Sequence, residues 1–454
     1  MDIIEITHRN NEFIKQVIEE YSVHNLPIEV SFRKMLPEIK KPDRYTHLIH
    51  SYPAKLLVHI PYFFLNNNIF SKKGDIILDP FSGSGTVLLE SLIAGRNAYG
   101  ADSNPIARLI TDVKVTKVDL GKTKEICILA ISKAKKYKTA SIPDVVNCNF
   151  WFPKKTTQQL SGLLKAIKEI EDINIQKFLL VSFSNCVKKV SYADPRVSVP
   201  VKLNQNRYKD GSKEQKKIQD RIKHLEDIDV YEKFLSVANE NIARSEEFYK
   251  IKSNTISAKI ISKDARRLTE EISSQYQLKD ESIQMIITSP PYAGAQKYIR
   301  ASSLNIGWTE LAKAKELVQL DKQNIGRENY RKSDINISKT GIDDADRLIK
   351  TIFKIKPERA NIVCKYLMEM KDALNEMIRV LKINGYLVLI VGNNKVCNLE
   401  FNTQQYLTEY LIEKGLVLQF KLIDDIRSYG LMTKRNKTAD IISREWVLVF
   451  KKMR

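Results

Sequence analysis

Cysteine is scarce in this chain: there are five in 454 residues, at 127, 148, 186, 364 and 397, odd in number and nowhere spaced as C-x-x-C. That pattern argues against a disulfide framework and a structural zinc site, and leaves ordinary buried thiols in a reducing compartment. Long apolar runs are missing too. Leu56–Leu65, broken by His59, and Tyr386–Val391 fall far short of the ~20 residues that a membrane span needs. The start MDIIEITHRNNEF carries acids where a signal peptide wants lysines, so the expectation is a soluble, intracellular protein. Internal repeats are absent. So is any acidic excess: 74 Lys+Arg face 54 Asp+Glu, a formal charge of +20. A polycation of this strength expects a polyanionic partner, nucleic acid first and an anionic membrane surface second. At about 150 residues per domain, the length allows roughly two to three domains or one large domain with insertions.

Residues 1–40 read as an N-terminal helical cap, closed by a basic stretch ending at Lys41-Pro42. Beyond Gly74 a short apolar run, Ile76-Ile77-Leu78, is followed by a glycine-bearing turn and a helical stretch, Thr86–Ile93. Further strand-like runs fall at Asn97–Ala101, Lys259–Ser262, Ser282–Thr288, Tyr386–Val391, Leu416–Ile423 and Glu445–Lys451. Strands alternating with helices predict an α/β fold with a mostly parallel, doubly wound sheet, and the last two runs lie close enough for an antiparallel pair. The gap from Asp102 to Lys259 is too long for one crossover, so an insertion is expected there. Residues 120–255 read as helical, and 186–224 hold 11 basic against 4 acidic residues, an excess of 11 − 4 = +7. A run of this kind is either a solvated helix face or a polyanion site. Lys313–Lys356 reads as polar and weakly periodic.

Glycine is rare as well, with 16 in all, yet Gly83, Gly85, Gly95 and Gly100 crowd into one short segment after the first clear strand. In Asp79-Pro80-Phe81-Ser82-Gly83-Ser84-Gly85-Thr86 the glycines permit a sharp turn and close backbone approach to a ligand, and the next helix points N–H groups at it. Asp102, followed by Ser103, ends the next strand, where a carboxylate can accept from both ribose hydroxyls. No third glycine follows at the dinucleotide spacing and no Walker lysine is present, so a nucleoside without pyrophosphate fits best. A second turn, Thr288-Ser289-Pro290-Pro291-Tyr292, ends another strand. Its prolines freeze a backbone that cannot continue the ladder. Ser289 and the Pro290 carbonyl can accept from an amine as positive charge develops on it, and Tyr292 offers a face for a planar base.

DPFSGSGT with a following GADSNP, and the later TSPPY, resemble the cofactor and catalytic motifs of the amino-methylating DNA methyltransferases, which use S-adenosylmethionine. The likeness covers roughly 45–110 and 260–310, and 380–454 loosely. It implies a Rossmann-like methyltransferase fold, with a mostly parallel sheet, an antiparallel C-terminal strand and a largely helical insertion. By the same likeness Asp79, Phe81, Gly83 and Gly85 hold the methionine part, Asp102 the ribose and Asp264 the adenine, with Pro80, Ser82, Thr86, Ser103 and Ala265 as further cofactor contacts. In this reading Asp264 precedes a helix; as a reading of the residues alone, it is equally a capping Asp ahead of Arg266-Arg267-Leu268. Thr46 through Lys55 resembles the segment over the cofactor's carboxylate, with Thr46 and Lys55 as contacts. His47 and His50 look like a metal pair but lack further ligands, and packing is the reading preferred. Ser289, Pro290, Pro291 and Tyr292 would carry the transfer, with no metal required.

The SPPY form resembles enzymes acting on cytosine N4, with adenine N6 as the alternative. Cytosine C5 methylation needs a Pro-Cys nucleophile, and none of the five cysteines follows proline. The expected division is a cap and cofactor half (1–119), an inserted helical basic domain for target recognition (120–255), which departs from the family's usual layouts, and a catalytic half (256–454). Lys188, Lys189, Arg196, Lys202 and Arg207 in the insertion, with Lys297, Arg300 and Arg327 beyond Tyr292, are the candidate contacts to double-stranded DNA. Ile325–Asn329 is expected to form a loop that closes on DNA. The implied setting is a prokaryotic cytoplasm and a restriction-modification system with a separately encoded endonuclease. Two rivals stand: a tRNA guanine-N2 methyltransferase, which shares such turns behind a larger N-terminal RNA-binding domain, and a non-catalytic nucleic-acid-binding protein on the same fold.

Overall fold

The computed structural model describes residues 3–272, 274–294, 297–425 and 444–454. Ten strands are present among them: β1 (Ile28–Val30), β2 (Ile76–Asp79), β3 (Asn97–Ala101), β4 (Ala258–Ser262), β5 (Ile283–Thr288), β6 (Leu381–Val391), β7 (Asn394–Val396), β8 (Leu399–Phe401), β9 (Leu416–Asp425) and β10 (Arg444–Lys452). Eight form one sheet in the order β1-β9-β10-β6-β5-β2-β3-β4, and β7 with β8 make a small antiparallel pair. Within the large sheet the pairings are parallel except those of β10, which runs antiparallel to both β6 and β9. The chain winds outward from β2 to β4, then returns to lay β5 against the other side of β2. Strand order therefore reverses between β2 and β5, the place where open α/β sheets form a ligand crevice.

Alternation along the strands sorts side chains onto two faces. Leu78, Ile286, Leu387 and Leu389 pack with Tyr366, Met370, Leu374 and Met377 of the helix Pro357–Val380. Their neighbours Ile77, Met285, Ile287, Val388 and Ile390 face the other way, against Phe63 and Phe64 of the helix His59–Leu65 and Ile14 and Val17 of the helix Ile3–His24. The central strands are apolar on both faces because both are covered.

Residues 120–249 are helical, as the sequence suggests. Asp119, Asp172, Ser212 and Asp229 each accept from a first-turn backbone N–H, which is why helices start after them. This segment is not walled off from the sheet. Its core residues Leu160, Phe178, Leu179 and Phe234 are continuous with Ile106 and Ile110 of the helix Pro105–Val115 and with Leu304 and Trp308 of the helix Tyr298–Trp308.

Three expectations need correction. The N-terminal cap holds a strand, β1, which joins the sheet beside β9. No helix follows Asp264: residues 265–282 make turns and single bridges among the described residues, because Asp264 closes a turn onto Arg267. The polar stretch 313–356 contains an amphipathic helix, Asp343–Ile355, whose Ala345, Ile349 and Ile352 are buried.

Candidate active site

Among the described residues, two openings lie along the C-terminal edge of the parallel strands. One is a narrow cavity of about 70 Å³. The other is a wide cleft of about 680 Å³, and Tyr52 and Ala54 belong to the walls of both.

The narrow cavity is built first by backbone. Gly83 (φ +49°) and Gly85 (φ +75°) carry the chain from β2 into the helix Thr86–Ile93. A Cβ on Gly85 would stand 2.7 Å from Thr111 Cγ2, so both conformation and space demand glycine there. The Gly83 N–H donates to Asp102 Oδ2 and the Asn104 N–H to Asp102 Oδ1, each at 2.8 Å. Both carboxylate oxygens are thus fixed in place, and each keeps acceptor capacity for a further donor. Burial pushes the Asp102 pKa up, against the pull of those two N–H groups and of Arg108. Asn104 also caps the helix Pro105–Val115 and donates through Nδ2 to the Tyr52 hydroxyl at 3.2 Å.

Pro80, Phe81, Gly83, Asp102, Ser103, Asn104, Asp264 and Ala265 line this cavity together with Ser289 and Pro291. Its remaining wall is Tyr298, Gln323, Asn324 and Ile325, held by Ser103 Oγ to Asn324 Oδ1 at 2.7 Å and Arg266 Nη2 to the Gln323 carbonyl at 3.1 Å. Asp264 grips Arg266 through both oxygens. The lining holds two carboxylates and no lysine, arginine or histidine among the described residues. Such a wall suits a neutral nucleoside joined to a cationic centre, as in S-adenosylmethionine, and is wrong for a phosphate.

The remaining residues of the glycine turn support it from behind. Asp79 accepts from the Phe81 N–H at 3.1 Å and from Thr288 Oγ1 at 2.7 Å, tying the ends of β2 and β5 together. Its burial raises its pKa to about 7. Ser82 bonds the Ala101 carbonyl through Oγ, and Thr86 is buried in its helix. Thr46 lines neither opening: it is buried, with Oγ1 donating to the Lys114 carbonyl at 3.0 Å. Lys55 lies in the wide cleft, paired with Asp43 at 2.9 Å. His47 is occupied by Glu90 (2.7 Å) and His50 by Ser184 (3.0 Å), in keeping with packing.

At the second turn Tyr292 is half-buried and lines neither opening. Its hydroxyl donates to Glu445 Oε1 at 3.0 Å, and burial together with that carboxylate holds its pKa well above the usual tyrosine value. Behind it Gly326 (φ +78°) accepts from the Gly294 N–H at 2.9 Å, and a Cβ there would lie 2.7 Å from the Tyr292 carbonyl oxygen. Ile325 therefore sits on the narrow cavity and Gly326 against the Ser289–Tyr292 turn.

Of the predicted DNA contacts, Lys188, Lys189 and Arg196 line the wide cleft with Arg33 and Lys55. Lys188 Nζ donates to the Val197 and Ser198 carbonyls, each at 3.0 Å, stapling the 194–201 loop to its helix. Arg196 pairs with Asp194 and Tyr208. Lys202 packs on Phe150 and Tyr192, Lys297 pairs with Glu328 and Arg327 with Glu369; none of these, nor Arg207 or Arg300, reaches the cleft lining. Sequence reasoning missed Asn104, Asn324 and Glu445. Asn104 had a signal, a capping residue ahead of Pro105 just after a strand. Glu445 had none, being 153 residues from its partner.

Residues 10–111 match the family model described as DNA methylase, N6_N4_Mtase. By this match residues 10–111 are similar to the amino-methylating DNA methyltransferases. Among particular proteins the chain is 26% identical over 386 residues to Type II methyltransferase M.MvaI of Kocuria varians, covering 80% of each chain. It is 37% identical over 98 residues to Type II methyltransferase M.MjaII of Methanocaldococcus jannaschii, covering 22% of this chain and 18% of that one. A crystal structure of a protein provisionally described as a DNA modification methylase, from Thermus thermophilus, is 16% identical over 38% of this chain and 48% of that chain, with a TM-score of 0.20.

Proposed function

We propose that this protein transfers a methyl group from S-adenosylmethionine to the exocyclic amine of a flipped-out base in double-stranded DNA, with cytosine N4 as the target. The observation that carries the reading is that one cavity is lined both by Asp102, anchored by two backbone N–H groups, and by Ser289 and Pro291 of the turn after β5. S-adenosylmethionine, when bound, supplies a methyl group on a sulfonium centre, open to direct attack. Asp102 would accept from the ribose hydroxyls, and the two-acid wall favours the ligand's positive charge. Ser289 and the Pro290 carbonyl would accept from the target amine, orient its lone pair and draw off the charge that forms there. Tyr292 supplies a ring for the extruded base. Lys188, Lys189 and Arg196 put positive charge where phosphates would pass on the way in.

The form of the TSPPY turn supports cytosine N4. The relatives' designation as Type II methyltransferases supports a modification enzyme of a restriction-modification system, with its endonuclease encoded separately. Incubation with methyl-labelled S-adenosylmethionine and separate duplex DNA and tRNA pools, followed by digestion to nucleosides, tests this. N4-methylcytosine from DNA is expected. N6-methyladenine would move the target base, and label confined to tRNA would overturn the DNA reading.

A further inference from the structure

We infer that Glu445 is a positioning residue for methyl transfer: its carboxylate holds the Tyr292 hydroxyl and so fixes the ring on which the target base is received. The inference deepens the proposed function and rests on it. The two residues are brought together by the one reversed strand. β5 runs parallel to β6 and ends at the site, whereas β10 runs antiparallel to β6, so the start of β10 lies at the edge where the parallel strands finish. Glu445, second residue of β10, thereby faces the turn that follows β5 from across β6, and its Oε1 accepts from the Tyr292 hydroxyl at 3.0 Å. Glu445 also lines the wide cleft, while Pro291, next to Tyr292, lines the narrow cavity. The bond spans the partition between the place where DNA would enter and the place where the cofactor would sit.

A rigid Pro-Pro backbone fixes the Cα of Tyr292 but leaves its side-chain torsions free. Gly326 braces the Tyr292 carbonyl from behind. A hydrogen bond at the far end of the ring removes the remaining freedom, so the ring need not be ordered anew when the base arrives. An acceptor is needed for this, and a full charge is not. Glutamine should therefore replace Glu445 in function and alanine should not.

The test is steady-state methylation of plasmid DNA with labelled S-adenosylmethionine by the full chain. It compares the unmodified protein with Tyr292→Phe, Glu445→Ala, Glu445→Gln and the double variant Tyr292→Phe/Glu445→Ala, with melting temperature and cofactor affinity recorded for each. Expected are a kcat loss of about tenfold in each of Tyr292→Phe and Glu445→Ala, no further loss in the double variant, near-normal kcat for Glu445→Gln and unchanged cofactor affinity. Multiplied losses in the double variant, or a Glu445→Gln protein as impaired as Glu445→Ala, would overturn the positioning role while leaving methyl transfer standing. An unmodified protein that methylates no DNA would remove the proposed function and this role with it.

Discussion

Among the described residues the narrow cavity is lined by two carboxylates and no cation, whereas the wide cleft beside it mixes Arg33, Lys55, Lys188, Lys189 and Arg196 with Asp43, Asp424, Asp425 and Glu445. The construction differs as much as the charge. Asp102 is seated by main-chain N–H groups at two strand ends, so its position follows from the sheet itself. The basic groups of the cleft reach in on long side chains, three of them from the insertion, and two of these are steadied by neighbours: Lys188 by carbonyls of the 194–201 loop and Arg196 by Asp194. A ligand of one fixed shape suits the first kind of wall. A polymer read through its phosphates tolerates the second.

Four variants would sharpen or break that contrast. The largest effect is expected from Asp102→Ala, which removes both proposed ribose acceptors and leaves the Gly83 and Asn104 N–H groups without their partner. Calorimetry should find cofactor affinity down by about 100-fold or more; a loss below about fivefold would show that the cavity does not hold the nucleoside there. Next comes Ser289→Ala, expected to lower kcat by roughly 100-fold with cofactor affinity unchanged. A matching fall in cofactor affinity would mean that Ser289 belongs to the binding wall and not to the transfer.

For the cleft, replacing Lys188, Lys189 and Arg196 together by glutamine should raise the KM for DNA about tenfold and flatten the salt dependence of DNA binding by up to about three counterions. An unchanged slope would locate the phosphate contacts elsewhere. The smallest effect concerns pH. Asp79, with its pKa raised to about 7 by burial, binds a proton more tightly folded than unfolded, so it costs stability as pH climbs from about 4 through 7. Asp79→Asn keeps acceptors for the Phe81 N–H and the Thr288 hydroxyl without that titration. Its melting temperature should pull ahead of the unmodified protein between about pH 5 and pH 8, and parallel curves would show that Asp79 ionises normally.

The same contrast decides what could be read in advance. Seven strand runs, the helix after Gly85 and the Asp102 position were visible because backbone geometry restricts the residue types allowed there: glycine at φ +75°, apolar pairs in strands buried on both faces. In the cleft only net charge was legible. Lys188 lines it and Lys202 lies on Phe150 and Tyr192 instead, although both belong to one basic run. Nothing local marks which lysine faces inward when several helices fold over one another. β1 was hidden by its length, since three residues carry no periodicity. Glu445 was hidden by topology, because its role depends on a strand that runs against its neighbours.

β1 pairs Ile28 with Leu422, so the outermost strand on that side of the sheet comes from near one end of the chain and its partner from near the other. Without it, the ten-residue β9 would be the edge of the sheet, a long row of open N–H and C=O groups of the kind that recruits strands from other molecules. Three residues of β1 cover β9 over Leu422–Asp424, and a strand that short offers little template for a further one. This strand lines neither opening, and the sheet edge it occupies is where a guard against edge-to-edge association would stand.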